Sequence, residues 1–331
     1  MPYPWQLGEW QRLLTQHEQQ KLPHALLLAG SRGLGKRQFA VAFGQLLLCA
    51  APQQGRSCGA CRSCELNSAQ THPDILLIEP EEAGKAIKID QIRQVSEFVA
   101  KTAQQGGRKV VMVAPAEAMN VNSANALLKS LEEPAGDTTL ILVSHTPSQV
   151  MPTIRSRCQQ LSFPVPPKEQ SLQWLANLVT GPVSAETLLD MSAGAPFAAL
   201  GLLEGDRLEQ RQTVEKQLIA VAQGQLSALD AAKNWSSMEV LDIVEWVLLC
   251  LHSGAIARAQ GQDSDGVIAL LGRIEPSIIF RFQDKMLIVK RQLLSGANPN
   301  KQLVLEELLL DWNALTKQAA SPRQIQKNGL V

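Results

Sequence analysis

The sequence predicts an α/β domain built on a doubly wound, mostly parallel sheet, followed by a small helical unit and then a larger all-α domain. Three observations predict it. Short apolar runs alternate with helical patterns through the first half of the chain. A glycine-rich loop joins the first of those runs to the first long helical pattern. Strand signals vanish after Pro164-Val165-Pro166-Pro167, a stiff break that reads as a domain boundary.

The elements follow in order. Ala25 to Ala29 is an apolar run short enough to be a strand buried on both faces, and the pattern from Gln38 to Leu48 is helical. A polar insertion, Ala51 to Pro73, precedes a second strand at Asp74 to Ile78. From Ile89, the residues Ile92, Val95 and Val99 recur at helical spacing, and Lys109 to Val113 gives a third strand. Ala124, Leu127, Leu128 and Leu131 fall on one helical face, which stops before Pro134. Thr138 to Val143 and Gln159 to Phe163 supply the fourth and fifth strands. Beyond the proline segment, Leu172 to Leu203 reads as a small helical unit and the rest, from about Asp206, as all-helical. Patterns near Val240 to Leu251 and Leu303 to Leu310 are apolar around much of their circumference, as in helices buried in a bundle or at a subunit interface. The expected domains are 1–165, 166–206 and 207–331.

With 331 residues the chain can bury two or three cores. Lys plus Arg equals Asp plus Glu at 31 each, so no strong global field draws it to nucleic acid or anionic lipid. The start, Met1-Pro2-Tyr3-Pro4-Trp5, lacks a basic stretch leading into an apolar one, and the longest apolar segment is interrupted by Asp242 and Glu245. A soluble, cytoplasmic protein is expected.

Cys49, Cys58, Cys61 and Cys64 form C-x8-C-x2-C-x2-C. Thiolates at this spacing can close a tetrahedral shell around a structural Zn²⁺, leaving no open position for catalysis. The polar insertion has little apolar material of its own, so metal binding would supply its folding energy. An iron–sulfur cluster is the competing chemistry, although ferredoxins of that spacing place the fourth ligand downstream beside a proline.

Gly30-Ser31-Arg32-Gly33-Leu34-Gly35-Lys36 fits the phosphate-loop pattern G-x-x-x-x-G-K. In such a loop, backbone N–H groups cradle phosphates, the lysine reaches the terminal ones, and a following Ser or Thr hydroxyl ligates Mg²⁺. Here Arg37 stands in place of the hydroxyl. Arginine has no lone pair for a metal and repels it. Gly30, Gly33, Gly35 and Lys36 are therefore the candidate nucleotide contacts of a degenerate loop, in which ATP binding is open and Mg²⁺-dependent turnover is not expected.

The phosphate-loop frame, the four cysteines, Asn125-Ala126-Leu127-Leu128-Lys129-Ser130-Leu131-Glu132-Glu133-Pro134 and Ser156-Arg157-Cys158 together resemble the bacterial clamp-loader subunits of the AAA+ ATPases, over about residues 20 to 200. The resemblance implies an AAA+ domain with a zinc module, a small helical lid and a helical collar for oligomerisation. It also implies where hydrolytic machinery is missing. The acidic pair that motor subunits carry after the third strand corresponds to Ala114 and Pro115, and the lid arginine to Phe197 in Gly194-Ala195-Pro196-Phe197. Ser144 and His145 replace the usual polar sensor after the fourth strand. Arg157 corresponds to the arginine finger, which acts on a neighbour's ATP; Arg155 is a nearby second candidate.

The resemblance thus implies a non-hydrolysing subunit of the replicative clamp loader of DNA polymerase III. Its partners would be gamma/tau-type motor subunits and a delta-type clamp-opening subunit. Through that assembly it would help load the sliding clamp on primed DNA. A nucleotide-binding switch, kept alive by Lys36, and an active motor of the same complex are the alternatives. A free-standing zinc-dependent nucleic-acid module is disfavoured by the neutral charge. No side chain of the Asn125 to Pro134 helix is given a catalytic role.

Overall fold

In the computed structural model, residues 2–320 are described except 83, 106, 135, 262–264 and 295–298, and the expected C-terminal end, 321–331, lies outside the described residues. The described chain forms two compact units, 1–201 and 202–331.

In the first unit, five strands run parallel: β1 (Ala25–Ala29), β2 (Ile75–Ile78), β3 (Arg108–Val113), β4 (Asp137–Ser144) and β5 (Gln159–Ser162), in the order β2-β3-β4-β1-β5. All five sequence-predicted strands are present, with ends displaced by a residue or so. β1 is an interior strand, paired on both edges: Ala25 pairs with Leu140 of β4, and Leu26 with Gln159 of β5. Its continuous apolar run follows from burial on both faces. Leu26 and Leu28 meet Phe39 and Phe43 of α2 (Lys36–Leu48), together with Trp10 and Leu13 of α1 (Leu7–Glu18). Ala25 and Leu27 face the opposite layer, in which α3 (Arg62–Ser68) takes no part and α4 (Ile89–Ala100) and α5 (Val121–Glu132) contribute Ile92, Val95, Leu127 and Leu131. The Asn120 side chain caps α5 by accepting from the Ser123 N–H at 2.9 Å. A short turn, α6 (Pro152–Arg155), leads into β5. Three short helices complete this unit: α7 (Lys168–Leu175), α8 (Ala185–Met191) and α9 (Pro196–Gly201).

The second unit is helical throughout its described residues: α10 (Arg207–Ala222), α11 (Ala228–Asn234), α12 (Val240–Gln260), α13 (Gly266–Gly272), α14 (Pro276–Leu294) and α15 (Lys301–Ala320). Trp235 and Trp312 are fully buried in its core, and the Trp312 indole donates to the Leu218 carbonyl at 2.8 Å. Helix α12 is long and apolar enough to cross a membrane by length and composition alone. Its Val240, Ile243, Val244, Val247 and Leu251 are buried against the other helices, so it is accounted for as the core helix of the bundle. Gly254 permits the close approach of α13, since a Cβ there would lie 2.6 Å from Leu271 Cβ. The apolar C-terminal pattern divides: Leu305, Leu308 and Leu309 are buried, whereas Leu303 and Leu310 face outward.

Replacing Trp312 with alanine removes a fully buried ring and its hydrogen bond to the Leu218 carbonyl. Trp312→Ala should destabilise the helical unit by about 3–5 kcal/mol in a denaturant titration. A loss under 1 kcal/mol would mean that this core is not packed around Trp312.

Candidate functional site

The phosphate loop leaves the carboxyl end of β1 and enters α2, where a parallel α/β sheet places its ligands. Gly33 and Gly35 have φ of +79° and +78°, backbone angles open to glycine at little cost. The loop is also tightly covered. A Cβ on Gly33 would lie 2.6 Å from the Ala198 backbone N, and one on Gly35 would lie 2.8 Å from the Phe197 ring. Phe197 N–H donates to the Gly33 carbonyl at 2.9 Å. From the N-terminal segment, Gln6 Nε2 donates to the Leu34 and Gly35 carbonyls, each at 3.0 Å, and Trp5 Nε1 donates to Leu34 at 3.1 Å. Tyr3, Trp5, Trp174 and Phe197 pack ring to ring over this point, with centroid separations of 4.8 to 6.4 Å. Position 197, which the resemblance aligned with a lid arginine, thus presses an aromatic ring against the loop.

Lys36 is 2 % exposed, and its ammonium donates to the loop's own Gly30 and Ser31 carbonyls at 2.7 and 2.5 Å. Burial pulls it from its ordinary 10.5 down to about 8, against the opposing attraction of Glu117. At Arg37 the guanidinium makes a two-pronged pair with Glu79 at the end of β2, Nε to Oε1 at 2.6 Å and Nη2 to Oε2 at 2.8 Å. Ala114 and Pro115 bring no carboxylate to the end of β3, but Glu117, just beyond them, does approach the loop. Its Oε1 accepts from the His145 and Thr146 N–H groups at 2.8 and 3.1 Å, tying the end of β3 to the end of β4. The sequence reading missed Glu117, Glu79, Trp5 and Gln6. None belongs to a spaced motif, and each acts through a contact distant in sequence.

Arg157 lies elsewhere. It precedes β5, and Gln159 pairs in parallel with Leu26, so Arg157 sits at the amino end of the sheet while the phosphate loop sits at the carboxyl end. The strand rise sets them apart by on the order of 20 Å. Arg157 Nε donates to Glu132 Oε1 at 2.7 Å, Nη2 bonds the same oxygen, and Nη1 donates to the Thr153 carbonyl at 2.9 Å. Arg155 Nη1 donates to the Pro147 carbonyl at 3.4 Å.

The four cysteines converge. Cys49 ends α2, Cys58 lies in the insertion, Cys61 caps α3 and Cys64 lies in its first turn. Their sulfurs are all within 4.8 Å of one another, with separations of 3.9 Å for Cys49–Cys61 and Cys58–Cys64 and 3.7 Å for Cys49–Cys64. Metal–sulfur bonds of about 2.3 Å in a tetrahedron require sulfur separations of about 3.8 Å, so this donor set could hold a metal ion. The Cys58 and Cys61 N–H groups point at the Cys49 and Cys58 sulfurs at 3.2 and 3.3 Å. Backbone donors at Cys64 and Ala50 bring the Cys61 thiol down to about 6, whereas burial pushes Cys64 up to about 12. The module is anchored through His72. Its Nδ1 accepts from the Asp74 N–H at 3.1 Å, leaving Nε2 to donate to Ser63, beside Cys64, also at 3.1 Å.

Comparison with known proteins resolves the family. A profile described as "DNA polymerase III, delta subunit" matches residues 5–167, and one described as "DNA polymerase III, delta subunit, C terminal" matches residues 205–314. The chain is 43% identical to the Pseudomonas aeruginosa protein named DNA polymerase III subunit delta', over 95% of this chain and 98% of that one. The chain belongs to the DNA polymerase III delta-prime family. Proteins of the same name from Escherichia coli and Yersinia pestis are 34% and 33% identical, over 93% and 94% of this chain and 94% and 95% of theirs. This delta-prime family member combines the expected parallel α/β sheet with a helical C-terminal unit, and its phosphate loop is covered by its own polypeptide.

The depressed Lys36 yields a signed pH dependence. Between pH 8 and 10.5 the unfolded chain holds a proton on this lysine that the folded chain does not, so stability rises with pH across that window. Measured against Lys36→Met, the wild-type chain should gain up to about 3 kcal/mol from pH 8 to 10.5. Parallel stability curves for the two proteins would show that Lys36 titrates normally.

Proposed function

We propose that this chain is the non-hydrolysing subunit of a replicative clamp loader, docking on an ATP-binding neighbour and presenting Arg157 to it. The carrying observation is the separation of Arg157 from its own phosphate loop by the length of the sheet. At on the order of 20 Å, the guanidinium cannot bond a phosphate held on Gly30 to Lys36 of the same chain. A second subunit's nucleotide is what it can reach. Always charged, planar and able to bond bidentately, it suits the charge that develops on a transferring phosphoryl group.

The chain's own loop supports the same reading. Arg37 is engaged by Glu79, Ala114 and Pro115 offer no metal ligand, and Lys36 is held by carbonyls of the loop itself. The nucleotide-switch reading would require Lys36 to leave the Gly30 and Ser31 carbonyls for a phosphate. In this account the partners are gamma/tau-type motors and a delta-type subunit in the cytoplasm, with the sliding clamp and primed DNA reached through the assembly. Residues 1–165 form the AAA+ domain, 166–206 the lid and 207–331 the collar that joins the ring. Cys49, Cys58, Cys61 and Cys64 hold a structural Zn²⁺, whose closed sulfur shell folds the insertion and offers no site for chemistry.

The purified chain should hydrolyse no ATP. Arg157→Ala should assemble normally yet depress turnover at the motor site it serves by on the order of 10³-fold. Hydrolysis by the chain alone, or full turnover in the mutant assembly, would refute the reading. Chelation or Cys61→Ser should release zinc measured by metal analysis and raise amide exchange across 49–73, while β1 stays protected. Retention of one equivalent of zinc by Cys61→Ser would remove that residue from the ligand set.

A further inference from the structure

Resting on that reading of Arg157, we propose that Glu132 is the positioning residue of the finger, holding the guanidinium by one edge so that its remaining donors face the neighbouring subunit. A guanidinium carries five N–H donors. Glu132 Oε1 takes one from Nε and one from Nη2, and the Thr153 carbonyl takes one from Nη1. Among the described residues two remain without a partner, one on each terminal nitrogen, and the side chain is 36 % exposed. A terminal pair of donors can grip two phosphate oxygens while the Nε edge stays on the carboxylate.

Both anchors adjoin buried residues. Leu131, next to Glu132, is 1 % exposed, and its carbonyl accepts from His24 Nε2 at 2.7 Å just before β1. Ile154, next to Thr153, is 1 % exposed. The finger is thus fixed between the end of α5 and the turn α6, both packed onto the sheet. An arginine free in solvent would lose rotamer entropy on docking, and this arrangement removes part of that loss beforehand.

Stability does not explain the contact. Glu132 is exposed at the carboxyl end of α5, where the helix dipole disfavours a carboxylate, and exposed ion pairs contribute little to stability. A carboxylate kept against local preference, on the one arginine aligned with the finger, points to a role in the assembly. It also assigns Glu132 in the Asn125 to Pro134 helix a task that its sequence alone does not reveal.

The test uses assembled complexes of motor subunits with wild-type, Glu132→Ala, Glu132→Gln, Arg157→Ala or Glu132→Ala/Arg157→Ala chains. ATP turnover is measured in the presence of clamp and primed DNA. Glu132→Ala should lower kcat about tenfold, the scale of one charge-assisted hydrogen bond, with KM for ATP unchanged. Glu132→Gln, which restores an acceptor oxygen, should recover part of the loss, and the double variant should be no slower than Arg157→Ala. Wild-type or faster turnover by Glu132→Ala, while Arg157→Ala is impaired, would overturn the positioning role and leave the finger standing. Additive losses in the double variant would likewise overturn it. Unimpaired Arg157→Ala would bring down both.

Discussion

The parallel pairing of β1 with β5 is the constraint on which the rest depends. Because Leu26 stands beside Gln159 and Ala29 beside Ser162, whatever follows β1 emerges at one end of the sheet and whatever precedes β5 enters at the other. The phosphate loop follows β1 and Arg157 precedes β5. No side-chain rearrangement can bring these two together without unpairing β1, whose residues are almost fully buried. A chain with both parts therefore presents two faces: one that could hold a nucleotide and one that could act on a neighbour's. In this molecule the first is covered by its own chain, and the second is the one proposed to act.

The first face is occupied by packing from the chain itself. A phosphate loop offers backbone N–H groups and a lysine to anions. Here its carbonyls are claimed by Trp5, Gln6, Lys36 and Phe197, and its glycines admit α9 and the Phe197 ring at distances a Cβ would not permit. Charge follows the same logic. Arg37 would repel a metal, and Glu79 holds it instead. Glu117, the one acidic group near Lys36 found among the described residues, bridges the backbone after β4. The same glycines that suit a loop to phosphate allow α9 to lie against it.

Much of this was legible in the sequence, for physical reasons that differ by element. The strands were legible because a parallel strand covered on both faces must be an unbroken apolar run, as Ala25 to Ala29 and Val110 to Val113 are. The cysteine cluster was legible because two-residue spacings turn sulfurs toward one point, and the sulfurs do converge. Helix α3 was not read, since Arg62 to Ser68 is too short and polar to show a period. Glu117 and Glu132 were invisible as functional groups because their partners lie 25 or more residues away along the chain. Leu303 and Leu310 were read with their buried neighbours because an apolar pattern does not say which side of a helix has a partner.

The central claim is that Arg157 completes a nucleotide site on another subunit. The most direct test is the stoichiometry of ADP·aluminium fluoride, a mimic of the transferring phosphoryl group, trapped by the complete assembly. With Arg157→Ala, the assembly should retain one equivalent fewer for each copy of this chain, while its binding of ADP alone is unchanged. Equal trapping by wild-type and mutant assemblies would contradict the account.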